Sequence, residues 1–198
     1  TVNGTPRGRL ARLNPNGTLD TAFIDPQIGG VVQAIARQTD GKVIAGGTFN
    51  TVGAANQANL ARFNPDGSRD TTFNPTIVGS VYAIALQRDG KIVIGGSITQ
   101  VNGFLVTKLA RLNPDGTKDH IFDASPNGGD VQEILLQTDG KFLIRGTFST
   151  VNNQSRPLLA RIMDNGQSLD TGFTPTFSNA MPSVTSITGM LLQQDGKV

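Results

Sequence analysis

Length, composition and charge narrow the class of protein. The chain has 198 residues, 37% of them hydrophobic and 24 of them glycine, a profile that favours a turn-rich all-β protein over a helical one. Its 17 basic and 15 acidic residues are evenly spread, which argues against nucleic acid, a partner that needs basic side chains clustered on one face. With no cysteine and no apolar run near the roughly 20 residues of a membrane-spanning helix, we expect no disulfide, no thiolate metal site and no membrane span.

Three short motifs recur along the chain at a nearly constant interval. The triplet LAR begins at Leu10, Leu60, Leu109 and Leu159. The triplet DGK begins at Asp40, Asp89, Asp139 and Asp195. A phenylalanine closes the segment that follows each LAR, at Phe23, Phe73, Phe122 and Phe173. These spacings predict a unit of about 50 residues that is repeated about four times.

Each unit reads as four short strands, which we name a, b, c and d in chain order. Examples of the four, in that order, are AIALQ, KIVIGG, LARFN and SRDTTF. An Asp-Gly pair separates strands a and b, and this is a strong hairpin signal because glycine supplies the positive φ of the turn. Asn-Pro-Asp-Gly or a close variant separates strands c and d, with proline presetting the first turn residue.

The pattern of apolar residues predicts how these strands assemble. Strands a and b are apolar on both faces, as in Ile92-Val93-Ile94, so we expect them to be covered on both sides. Strand d is more polar and suits an outer edge. An antiparallel four-stranded unit of this kind, repeated radially, predicts a β-propeller blade. A parallel β-solenoid is the alternative, and the two tight turns in each repeat argue against it.

The repeat places boundaries along the chain. Residues 1–23 contain strands c and d of one blade, residues 31–73, 81–122 and 131–173 form whole blades, and residues 187–198 begin the next. We expect a portion of a larger propeller or array. A ring that closes at four blades is the alternative, in which the strand near the C-terminus joins the N-terminal hairpin.

The segment LARLNPDGTKD, together with QTDGK and GGTFNTV, resembles the delta-60 repeat, a bacterial β-propeller repeat similar in style to NHL-type blades. The resemblance covers essentially the whole chain and departs in the fourth copy, at residues 162–166. It implies a propeller on exported or cell-surface bacterial proteins, and it brings no catalytic residues with it.

An arginine of strand c and an aspartate of strand d recur together. The pairs are Arg12 and Asp20, Arg62 and Asp70, and Arg111 and Asp119. Each pair is expected to lie across the c–d hairpin and to pin its register, contributing on the order of 0.2–1 kcal/mol. The fourth copy has one extra residue between Gly166 and Asp170, so we expect its pair, Arg161 and Asp170, to be shifted or bulged.

No residue pattern points to catalysis or to a metal. His120 is the only histidine, and no nucleophile or partner ligand accompanies it. Each Asp-Gly turn offers one carboxylate, whereas calcium requires six to eight oxygen ligands. Glu133, the only glutamate, is expected to face the channel or a neighbouring blade. We therefore expect no enzyme, no metal and no cofactor.

The connections between strands are the most informative guide to a binding surface. The short a–b and c–d turns are expected on one side of the ring, and the longer d–a and b–c connections on the other. The longer set varies most between copies, and loops on a rigid scaffold tend to carry binding residues. The candidates on that side are Phe104, Leu105, Asn153, Arg156, Phe177 and Met181. The alternative for any one of them is packing against the neighbouring blade.

We expect a non-enzymatic, secreted or cell-surface propeller that binds a protein or a cell-surface glycan through these long connections. Two other functions stay open. One is an accessory domain of an exported enzyme with a site at the propeller channel, although no catalytic constellation accompanies it. The other is an architectural subunit of a surface fibre or sheath, which requires self-association of copies.

Overall fold

Residues 1–177, 186–193 and 195–198 are described by a computed structural model, and every regular element among them is a β-strand. Residues 28–73, which we call repeat 1, contain β1 (Ile28–Arg37), β2 (Val43–Val52), β3 (Ala55–Asn56) and β4 (Leu60–Phe63). Residues 77–122, repeat 2, contain β5 (Ile77–Val78), β6 (Val81–Leu86), β7 (Ile92–Gly96), β8 (Gln100–Val101), β9 (Phe104–Leu105) and β10 (Leu109–Leu112). Residues 126–173, repeat 3, contain β11 (Pro126–Asn127), β12 (Val131–Leu136), β13 (Phe142–Gly146), β14 (Thr150–Val151), β15 (Gln154–Ser155) and β16 (Leu159–Ile162).

Each repeat is built from antiparallel sheets around strand b. In repeat 2, β7 pairs with β6 on one side and β10 on the other, and β8 pairs with β5 and β9 in a second small sheet. Repeat 3 has the same two sheets, β12-β13-β16 and β11-β14-β15. In repeat 1 the two are fused, because β1 and β2 run continuously through both. The predicted antiparallel all-β organisation is confirmed.

Strand d is shorter than predicted. It is reduced to one isolated bridge in each repeat, as between Phe63 and Arg69. The backbone turns immediately afterwards, because the Asp70 carboxylate accepts a hydrogen bond from the Thr72 N–H and the Asp70 carbonyl accepts one from the Phe73 N–H. Such a local Asx bond competes with the sheet ladder, so the strand ends there.

Close packing between sheets explains the first glycine of the GG motif in strand b. A Cβ on Gly46 would lie 2.6 Å from Val81 Cγ1 of the next repeat, and one on Gly95 would lie 2.6 Å from Val131 Cγ1. The interior of strand b is fully buried, as predicted. Strand a is covered less than predicted, since Ile35 is 61% exposed. In repeat 2 the equivalent residue, Ile84, packs against Gly46 of strand b in repeat 1. Among the described residues, no strand b glycine packs against Ile35 in the same way.

The contact between repeat 3 and the chain that follows it, which we call the third seam, is polar. The first two seams, between repeats 1 and 2 and between repeats 2 and 3, are apolar. Arg145 occupies the position of Gly46 and Gly95, and its Nε lies 2.6 Å from Glu133 Oε2. The guanidinium also donates to the carbonyl oxygens of Ile187 and Thr188, at 2.7 and 2.8 Å. Glu133 was expected to face the channel or a neighbouring blade, and it faces the segment of chain that follows repeat 3. Its partner is the Arg145 guanidinium.

Candidate interaction surface

An ion cluster holds the c–d hairpin of each repeat, and in repeat 1 its arginine and aspartate are buried. Asp70 Oδ2 accepts hydrogen bonds from Arg62 Nε and from Lys42 Nζ, both at 2.8 Å. The Arg62 guanidinium lies over the Phe73 ring, 4.4 Å from its centroid. It also donates to the carbonyl oxygen of Pro114, at 2.7 Å, and so ties repeat 1 to the c–d turn of repeat 2. The recurring motif residues therefore form one cross-repeat network.

The same network recurs with different burial. Arg111 and Lys91 meet Asp119 at 2.8 and 2.9 Å. Arg12 meets Asp20 at 2.7 Å, but these side chains are 43% and 21% exposed, against 6% for both Arg111 and Asp119. The pairs of repeats 1 and 2 are therefore buried, whereas the pair of Arg12 and Asp20 lies near solvent.

The predicted shift of the fourth pair is wrong. Arg161 Nε lies 3.0 Å from Asp170 Oδ2, and the arginine stacks on Phe173 as its equivalents do. The c–d turn absorbs the extra residue, because the Met163 N–H donates to the Ser168 carbonyl and restores the hairpin register beyond it.

Electrostatics favour the charged form of the buried aspartates. Burial alone would raise the pKa of Asp119, but hydrogen bonds from Lys91, the Ile121 N–H and Arg111 outweigh it and lower the pKa to about 2. For Asp70, burial again raises the pKa, and hydrogen bonds from Lys42 and Thr72 overcome it and hold the pKa far below its usual range. Nothing in this arrangement leaves a carboxylate free for proton transfer near neutral pH.

The b–c connections are ordered hairpins, not open loops, and their predicted separation from the c–d turns is wrong. Asn102, at the tip of the β8–β9 hairpin, donates to the Gly116 carbonyl in the c–d turn of the same repeat, at 3.0 Å. It also accepts from the Thr76 N–H, at 2.9 Å. The side chain of Asn102 therefore joins the b–c hairpin to the c–d turn and to the chain that precedes β5.

Four side chains of repeat 2 that are exposed in the β8–β9 hairpin and in the turn after strand d are together called the hairpin patch: Phe104, Leu105, His120 and Ile121. Phe104 is 50% exposed, Leu105 80% and Ile121 64%. The Phe104 ring meets the His120 ring edge to face, with centroids 4.5 Å apart. Sequence reasoning singled out Phe104 and Leu105 but took His120 as an isolated replacement. The available signal was that all four residues break the repeat pattern within one copy.

The remaining predicted binding residues do not join this patch. Asn153 and Arg156 lie on and just after the equivalent hairpin of repeat 3, where Asn153 adopts the positive φ of the hairpin tip and Arg156 donates to the Ser155 carbonyl. Phe177 is half-buried outside any strand. Met181 lies outside the described residues.

Residues 1–177, 186–193 and 195–198 contain neither a cluster of metal-ligating side chains nor a membrane-spanning helix. No three histidine, aspartate or glutamate side chains there come together in a way that would hold a metal ion. No helix in that part of the chain is long and apolar enough to cross a membrane.

Comparison with known families identifies the repeat. A family model described as "Domain of unknown function (DUF5122) beta-propeller" matches residues 1–23, 38–73, 87–122 and 137–173. The matched segments all end at the phenylalanine that stacks on the strand c arginine. The predicted fold class, an all-β propeller of about four repeated antiparallel units, is confirmed. No curated protein matches the chain.

Proposed function

The chain belongs to the β-propeller family described as a domain of unknown function (DUF5122), and we propose that it acts as a non-enzymatic module that binds a protein through the hairpin patch. The observation that carries this proposal is the exposure of Phe104 and Leu105 on an otherwise regular scaffold. Exposed aromatic and aliphatic side chains that lie together are typical of protein interfaces.

The repeat supplies an internal comparison for this patch. Repeat 1 has Ala55 and Asn56 at the positions of Phe104 and Leu105, and repeat 3 has Gln154 and Ser155. Both alternatives form the same two-residue strand in the hairpin. The hairpin fold therefore does not require large apolar side chains, and their presence in repeat 2 needs a reason other than stability.

The surroundings of the patch favour a protein partner. His120 holds the Phe104 ring by edge-to-face contact, which reduces the entropy that the ring loses on binding. Beside Leu105 lies a groove of about 270 Å³ that Lys118, Phe122 and Ser125 also line. A partner can place an apolar side chain in this groove and an acidic one against Lys118.

The resemblance to delta-60 repeats extends the proposal beyond the domain itself. It favours a secreted or cell-surface bacterial protein, and therefore a partner that is itself exposed on the cell surface. In this setting the propeller presents a rigid binding surface and carries out no reaction of its own.

The test uses substitutions that repeat 1 already tolerates. The double variant Phe104→Ala/Leu105→Asn copies the repeat 1 hairpin, and Gln154→Ala/Ser155→Asn makes the matched change in repeat 3. A photo-crosslinking residue placed at position 105 should link to a discrete cell-surface protein, and one at position 155 should not. The Phe104→Ala/Leu105→Asn protein should lose binding to that protein with an unchanged melting temperature, while the matched variant keeps it. Equal crosslinking at both positions, or none at position 105, would rule out the hairpin patch.

A further inference from the structure

Strand a of every repeat contains, at an equivalent position, a residue that has no partner in strand b. In repeat 2, Val81 pairs with Gly96 and Ala83 pairs with Gly95, so Tyr82 is the extra residue of a β-bulge. Gln33 and Gln132 are the extra residues at the same position of repeats 1 and 3. A bulge interrupts the ladder of hydrogen bonds and redirects the extra side chain.

The second glycine of the GG motif is required because the bulge brings a carbonyl oxygen of strand a close to its Cα. A Cβ on Gly96 would collide with the carbonyl oxygen of Ser80, and Gly47 and Gly146 meet the equivalent carbonyl in repeats 1 and 3. Repeat 3 keeps this second glycine although Arg145 replaces the first. The sequence therefore maintains the bulge even where the neighbouring packing has changed.

The three redirected side chains meet in one place. Gln33, Tyr82 and Gln132 line an open cavity of about 540 Å³ together with Asp130. The two glutamines are exposed, and Tyr82 and Asp130 are half-buried. Three neighbouring repeats thus contribute one side chain each from equivalent backbone positions.

The chemistry of the cavity is neutral and rich in hydrogen-bonding groups. Gln33 Oε1 accepts from Thr48 Oγ1 at 3.1 Å, and Gln132 Oε1 accepts from Arg145 Nη1 at 3.0 Å. These bonds orient the two amides and leave their N–H groups available to a ligand. Lys108 Nζ lies 3.3 Å from Asp130 Oδ1 and offsets its charge.

One aromatic ring between amide donors and a carboxylate acceptor matches a sugar. The C–H face of a pyranose packs on an aromatic ring, and its hydroxyls both donate and accept hydrogen bonds. We propose that Gln33, Tyr82, Gln132 and Asp130 form a binding site for a neutral saccharide. This site is distinct from the hairpin patch and does not depend on the proposed protein partner.

The composition of the chain provides a direct readout. Tyr82 is the only tyrosine and there is no tryptophan, so tyrosine fluorescence reports on this cavity alone. The whole chain is titrated separately with maltotetraose, cellotetraose and chitotetraose into the millimolar range. At least one of these sugars should change the Tyr82 emission in a saturable way. No saturable change with any of the three would overturn the proposal.

Variants then locate the bound sugar by isothermal titration calorimetry. Gln132→Ala should weaken binding about tenfold, the loss of roughly one hydrogen-bonding contact, and Tyr82→Ala should abolish it. Both exchange accessible side chains, and thermal unfolding checks that each variant is folded. Gln154→Ala, on the hairpin of repeat 3, is the matched glutamine control and should bind normally. Unchanged affinity in both Gln132→Ala and Gln33→Ala would place the sugar elsewhere and refute the site. The Phe104→Ala/Leu105→Asn protein should still bind sugar, which separates this test from that of the protein partner.

Discussion

Replacing Asp119 with asparagine should destabilise the protein far more than the same change at Asp20. Asp119 is the shared counter-ion of Arg111 and Lys91, and the arginine and aspartate side chains are each 6% exposed. The Asp119→Asn change leaves both cations without a negative partner, and breaking a buried pair in this way costs about 3–5 kcal/mol of unfolding free energy. Asp20 makes the same bond to Arg12 near solvent, where water screens both charges, so its loss should cost much less unfolding free energy than the loss of Asp119.

The pH dependence provides a second measure of the same cluster. The folded pKa of Asp119 is about 2, below the value of about 3.9 for an unfolded aspartate. A lowered pKa stabilises the folded protein above the unfolded pKa, and this stability is lost as pH falls from about 4 towards 2. The difference corresponds to about 2.5 kcal/mol, and it should be missing from the Asp119→Asn protein.

Urea unfolding at pH 7, and at steps from pH 5 down to pH 2.5, measures both effects. Tyr82 fluorescence and far-UV circular dichroism should be recorded together, since coincident transitions are needed to extract a single free energy from a repeat protein. Similar losses for Asp119→Asn and Asp20→Asn would refute the distinction between buried and exposed clusters. So would an Asp119→Asn protein with the full acid sensitivity of the wild type.

Two further predictions concern the seams between repeats. Gly95→Ala should lower the unfolding free energy by about 1–3 kcal/mol, because the new Cβ would lie 2.6 Å from Val131 Cγ1. Gly189→Ala, which meets no atom within 4 Å, is its control in thermal unfolding, and equal melting temperatures would contradict the close-packed seam. The double change Glu133→Ala/Arg145→Gly gives the third seam the alanine and glycine that the first has at these positions, and should change the unfolding free energy in urea by no more than about 1 kcal/mol, because the ion pair is partly exposed. A large destabilisation would show instead that this ion pair is required for folding.

Much of the fold could be predicted from the sequence because its signals are local. Asp-Gly and Asn-Pro-Asp-Gly turns specify hairpins through backbone geometry, and the constant spacing of the motifs specifies the repeat. The pairing of Arg62 with Asp70 followed from hairpin register alone. The third member, Lys42, was missed although a DGK lysine recurs in every copy, because it joins the pair from another hairpin.

The contacts of the candidate binding residues were also harder to predict, because they join residues that are far apart in the sequence. Phe104 and Leu105 became candidates because they lie in a connection that varies between copies. Their neighbour His120 is sixteen positions away from Phe104, and its contact depends on the hairpin folding back to the c–d turn. Placing the long connections on a separate side failed because the hydrogen bond from Asn102 to the Gly116 carbonyl joins residues of two different hairpins.

The sequence by itself determined the repeat length, the two tight turns and the antiparallel β character, since each depends on residues close together in the chain. Only the tertiary structure decided what the paired glycines of strand b do. In repeat 2 the first glycine, Gly95, leaves room for Val131 of the next repeat. The second, Gly96, lies opposite the bulge that directs Tyr82 into the cavity. Both roles depend on a backbone or side chain that reaches the glycine from a distant part of the chain. The role of each glycine can therefore be recognised only when the atoms that pack against it are known.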